Sequence, residues 1–127
     1  MFIKDRLFAC LNLNDREMAL YDSIAKILEK DIVYPDLAIF LQADTEKLMS
    51  NIKNRGRSYE SSINPDYIES LNQVYNEYFF RYDKGPLLII NTNEIDFVNN
   101  PDDLNGIMEF LKEPIKGKKY YNPIKSL

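Results

Sequence analysis

The 127-residue chain contains no histidine, which removes imidazole acid–base chemistry and histidine-ligated metal centres from consideration. Its single cysteine, Cys10, cannot form an internal disulfide, and its apolar neighbours suit a buried thiol better than a nucleophile. A reducing, cytoplasmic setting is the expectation. No stretch comes near the roughly 18 uninterrupted apolar residues of a membrane span. Met1–Phe2–Ile3–Lys4–Asp5–Arg6 carries charges where a secretory signal keeps an apolar core. Glycine is scarce. Gly56, Gly85, Gly106 and Gly117 nowhere make the phosphate-cradling pattern GxxxxGK[ST]. Ahead of Gly117–Lys118 the first glycine position holds Lys112, and Lys119 replaces the hydroxyl residue. Excess positive charge is missing too. A formal net charge of -4 and a pI near 4.9 count against non-specific binding to nucleic acid.

What is present suits one soluble domain or a piece of one: 45% hydrophobic and 28% charged residues rule out wholesale disorder. The chain is organised around Pro35–Ala43, in which Leu37–Ala38–Ile39–Phe40–Leu41 runs without alternation. Such a run suits a parallel strand covered on both faces. Leu87–Leu88–Ile89–Ile90–Asn91 reads as a second buried strand. Residues 1–11 suit a short helix. Asn14 or Asp15 caps another to about Lys30, with Met18, Tyr21, Ala25 and Leu28 in one stripe widened by Leu20, Ile24 and Ile27. That width predicts cover on more than one side. A short helix over about 45–54 buries Leu48, Met49 and Ile52. Asn64–Pro65 and Asn100–Pro101 each pair an N-cap with proline at the first helical position, opening helices to about Arg81 and Lys112. The remainder, 113–127, reads as a loose basic tail. The sum is an α/β arrangement of two strands with flanking helices, and one strand edge is left without cover.

Chemistry is sought where strand and helix lead into Lys53–Asn54–Arg55–Gly56–Arg57–Ser58–Tyr59–Glu60. Guanidinium groups make planar, bidentate contacts to phosphate oxygens and neutralise charge in phosphoryl transfer, and Glu60 can accept from a hydroxyl. A merely solvated charged loop is the other reading. Phe8 can stack on a nucleobase or simply fill a core. Tyr67, Tyr75 and Tyr78 share a face with aliphatics and read as packing. Asp44 ends the first strand where open sheets bind ligands, and equally serves as a helix cap. Glu94 and Asp96 follow the second strand at the same end, either bordering a nucleotide or standing as solvated turn residues. No pair of carboxylates is placed for metal or general-base work.

Taken together, Lys4–Asp5–Arg6–Leu7–Phe8–Ala9, Leu11–Asn12–Leu13, Glu17–x–Ala19–Leu20–Tyr21, the Pro35–Ala43 strand, Arg55–Gly56–Arg57–x–Tyr59–Glu60 and Asn100–Pro101–x–Asp103–Leu104 resemble the deoxynucleoside kinases, particularly bacterial members. The resemblance runs from near residue 1 to about 112. It implies a partial P-loop kinase fold: two adjacent parallel strands similar to the family's fourth and fifth, flanking helices, and an arginine-bearing lid at about 53–62. It also implies transfer of the ATP γ-phosphate to a deoxynucleoside 5′-hydroxyl, with ATP and Mg2+ as cofactors. On that resemblance Arg55 and Arg57 are the phosphate-gripping lid arginines, with Lys53 beside them. Glu60 meets the sugar 3′-hydroxyl and Phe8 packs against the base. Asn93–Phe97, with Glu94 and Asp96, lies beside the donor adenine.

The phosphate loop, the general-base glutamate and the acidic–arginine motif of that family have no counterpart in this chain, and Asn51 stands where many relatives carry a lid-helix arginine. The expectation is therefore a fragment resembling the carboxyl-terminal 60% or so of a kinase, inactive alone. Its partner would be an amino-terminal half or a second copy. The alternative is an assembly module that pairs with a kinase-like protein or itself. A small RNA-binding module using the lid and the lysine tail is disfavoured by net acidity and the lack of aromatic platforms.

Overall fold

The computed structural model describes residues 2–30, 32–55 and 64–123. Element order is α1 (Phe2–Asn12), α2 (Asp15–Glu29), β1 (Ala38–Gln42), α3 (Thr45–Arg55), α4 (Pro65–Phe80), β2 (Leu87–Asn91), α5 (Pro101–Phe110) and β3 (Lys118–Tyr121). The starts follow from local chemistry. Asn14 forms a capping box with Glu17, and Asn64 and Asn100 accept from Asp66 and Asp102 ahead of their first-turn prolines.

The two expected strands are adjacent and parallel, in register from Ala38↔Leu87 to Gln42↔Asn91. A third strand continues the sheet: β3 pairs parallel with β2 from Leu87↔Lys118 to Ile90↔Tyr121, giving the order β1-β2-β3. It lies inside the stretch read from sequence as a loose tail. Two contacts hold it: Tyr121 meets Phe110 edge-on at 5.2 Å, and Lys118 Nζ donates to the Phe80 carbonyl beneath its own cation–π contact with the Phe80 ring.

The pleat sends β2 side chains into two cores. Leu87 and Ile89 join Ala38, Phe79 and Tyr82 on the α4 side, where Phe40 stacks on Phe79 at 4.5 Å. Leu88 and Ile90 join Ile95 and Ile107 on the α5 side. β2 is therefore buried on both faces. β1 is not, contrary to the sequence expectation. Its burial alternates, and Ile39 and Leu41 are 45% and 48% exposed, because α5 covers β2 and β3 but stops short of β1. Among the described residues no strand pairs with the outer edge of β1. A cleft of about 570 Å³ runs along that edge, with Ile3, Leu48, Ile52, Ile68 and Leu71 in its wall.

Two further expectations are corrected. On α2 only Ala25 is buried, and Leu20, Ile24, Ile27 and Leu28 face outward, since α2 rests on α1 by one side. Cys10 is exposed, because no described element covers its side of α1.

Candidate functional site

Parallel strands with helices on their faces place ligand chemistry beyond the carboxyl ends of the strands. Here that end is built from the β1–α3 connection and the loop between β2 and α5. Asp44 is the cap of α3: its Oδ1 accepts from Lys47 N–H at 2.8 Å. Its own N–H donates to Asn93 Oδ1 at 2.8 Å, tying the two strand ends together. Thr92, buried, donates both its N–H (2.8 Å) and its hydroxyl (2.9 Å) to the Gln42 carbonyl.

Asp96 is occupied by its own turn. Its carboxylate accepts from the Asn99 side chain at 2.9 Å, from Asn99 N–H at 3.0 Å and from Val98 N–H at 3.1 Å. The Asn99 side-chain and backbone donors hold its carboxyl below the usual value of 3.8 against the opposing effect of burial, with the Val98 amide and the Lys47 charge adding to them. Its N–H donates at 2.7 Å to Asp103 Oδ2, a buried carboxylate in the first turn of α5. The loop is thus a rigid, internally bonded turn seated on Ile95, which is 5% exposed. Glu94 is exposed on the same turn.

The lid residues divide. Lys53 is exposed in the last turn of α3, and Arg55 closes that helix. Arg57 and Glu60 lie outside the described residues, as does most of the 53–62 segment. Phe8 sits on α1 and is 40% exposed, so it is not spent in the core. Its carbonyl accepts from Asn12, whose Nδ2 also reaches the Tyr67 hydroxyl at 3.2 Å and links α1 to α4. The bond from Asp44 N–H to Asn93 Oδ1 sets the root of α3 beside the loop that follows β2. Tyr75 and Tyr78 pack against the core, as their spacing predicts. Among the described residues no three Cys, Asp or Glu side chains gather in one cluster.

Sequence reasoning missed a set of amides at this end. Gln42 Nε2 donates to Asn76 Oδ1 at 2.7 Å, Asn76 Nδ2 to Asn72 Oδ1 at 3.2 Å, and Asn72 Nδ2 to the Ala43 carbonyl at 3.0 Å. With Asp44, Thr45, Glu69 and Asn93 they line a polar recess of about 370 Å³. The signal was available: Asn72 and Asn76 recur at four on the face of α4 that otherwise carries Ile68, Tyr75 and Phe79.

A family model described as deoxynucleoside kinase matches residues 3–116. A deoxyadenosine kinase of Lactobacillus acidophilus is 30% identical over 124 residues, which take in 87% of this chain and 56% of the relative. A deoxyguanosine kinase of Bacillus subtilis is 28% identical over 116 residues, with 88% and 56% covered. Among solved structures, the deoxyadenosine kinase of M. mycoides with bound dATP superposes with a TM-score of 0.72 at 26% identity, over 87% of this chain and 58% of that one. The same enzyme with bound dCTP gives 0.70 at 28% identity, over 85% and 59%. The chain spans a little over half the length of the relatives it matches.

Proposed function

The chain belongs to the deoxynucleoside kinase family, and we propose that it supplies the lid and the donor-flanking loop for transfer of the ATP γ-phosphate to a deoxynucleoside 5′-hydroxyl. The observation that carries this reading is α3, which leaves the carboxyl end of a parallel strand and carries Lys53 and Arg55 in its last turn. Arg55 and Arg57 grip phosphate oxygens and offset charge in the transition state. Glu60 accepts from the sugar 3′-hydroxyl, and the half-exposed ring of Phe8 lies against the base. Glu94 borders the donor, and Asp96, its carboxylate committed to three donors, shapes the loop. No step assigned to this chain runs through Mg2+.

Alone the chain has negligible activity. Phosphoryl transfer depends on positioning and on charge stabilisation around the whole triphosphate, and no glycine-rich cradle exists in these residues. An amino-terminal kinase segment enters as a strand along the edge of β1. That edge carries no charge and no proline, whereas the far edge strand carries Lys118 and Lys119, the kind of residue that discourages further pairing. The setting is the cytoplasm, where Cys10 stays reduced. Substituting Arg55→Ala and Arg57→Ala together, in a mixture complemented by an amino-terminal kinase segment, lowers turnover by about a thousandfold. Unchanged turnover would remove the arginines from the mechanism.

A further inference from the structure

The connection from β1 to α3 is two residues, Ala43 and Asp44, and each is held from a different side. Asn72 on α4 donates to the Ala43 carbonyl at 3.0 Å, and Asn93 in the β2–α5 loop accepts from Asp44 N–H at 2.8 Å. The Asn72 side chain is oriented by a neighbour, its Oδ1 accepting from Asn76 Nδ2 at 3.2 Å, and the Asn93 backbone is held by its own N–H, which donates to Asn91 Oδ1 at 3.0 Å. The 11 residues of α3 make a lever about 16 Å long that is rooted at this hinge. A swing of roughly 10° at the root carries the far end about 3 Å. Misplacement by about 1 Å already costs a reaction on the order of a hundredfold.

We propose that Asn72 and Asn93 are positioning residues that fix the Ala43–Asp44 hinge and thereby set where α3 delivers Lys53 and Arg55. The functional half of this inference rests on reading α3 as the root of a phosphate-gripping lid. Both side chains are engaged by the backbone of the hinge. Their effect runs through the backbone of the hinge, and Asn93 makes the donor-side loop one of its two anchors.

The test is hydrogen exchange along the full chain for the parent protein and for N93A, N93D and N72D. N93A removes the acceptor, N93D keeps one, and N72D exchanges the donor nitrogen for oxygen. In N93A and N72D the α3 amides are expected to exchange about fivefold faster, the factor that goes with one ordinary hydrogen bond. The α4 and β2 amides stay within about twofold of the parent, and N93D restores α3 to the same range. Equal acceleration in α3, α4 and β2 would overturn the proposal, because the asparagines would then only hold the core. Unaltered exchange in α3 would overturn it as well. If N72D does not fold, the N93A and N93D pair decides the question. Exchange is read without nucleotide, so this result stands apart from any failure of the kinase reading. Where complemented turnover exists, N93A lowers kcat more than it raises KM for the deoxynucleoside, and N93D recovers it.

Discussion

Tyr82 is 8% exposed and its ring lies 5.8 Å from that of Phe79, yet its hydroxyl finds no hydrogen-bond partner among the described residues. Burying an unpaired hydroxyl costs about 1–3 kcal/mol. Tyr82→Phe therefore raises stability, by about 1 kcal/mol in urea unfolding, and a loss of stability would reveal a partner. Asp96 behaves in the opposite sense. Its folded carboxyl titrates below the ordinary value of 3.8, so its contribution is complete above that pH and disappears as the pH falls through the lowered value. In an NMR titration the Asn99 and Val98 amide shifts move only below pH 3.8; movement centred at or above it would contradict the bonding described here. The capping asparagines Asn14, Asn64 and Asn100 were legible in the sequence because a cap is a local event within three residues. Asn72 and Asn93 were not. Their partners, Ala43 and Asp44, stand 29 and 49 residues away, and no local pattern predicts such a meeting.

Strand β2 was readable at both ends, while β1 was readable in position but not in environment. An apolar run says what can be buried; whether it is depends on which element reaches it, and α5 does not reach Ile39 or Leu41. β3 escaped notice for a different reason. Lys118–Lys119–Tyr120–Tyr121 has no apolar alternation of its own, and it becomes a strand by pairing with β2 and seating Tyr121 against α5. The seat needs Gly106, where an added Cβ would lie 2.6 Å from the Tyr121 hydroxyl and 3.9 Å from the ring carbon that bears it. Gly106→Ala alone destabilises the protein by about 1–2 kcal/mol through this overlap. With Tyr121→Phe the overlap is gone, and the same substitution gains up to about 1 kcal/mol from helix propensity. Thermal unfolding of the four proteins in that cycle checks it, and an effect of the same sign in both backgrounds would refute the contact.

At the scale of the whole molecule, the sheet of the described residues has two edges, a basic one at β3 and an apolar one at β1. β3 carries Lys118 and Lys119 at the far edge, and it lies just past the residues 3–116 that match the family model. β1 opens toward an apolar cleft of about 570 Å³. The family was legible in the motifs. That the outer edge of the Pro35–Ala43 strand is left unpaired among the described residues followed from the family resemblance, not from composition, because pairing partners are set by topology. The most direct measurement is phosphorylation of mixed deoxynucleosides with ATP and magnesium. It compares the purified chain alone with the same chain plus a separate amino-terminal kinase segment bearing the phosphate loop. The account predicts turnover in the mixture and none from the chain alone. Turnover by the chain alone would contradict it.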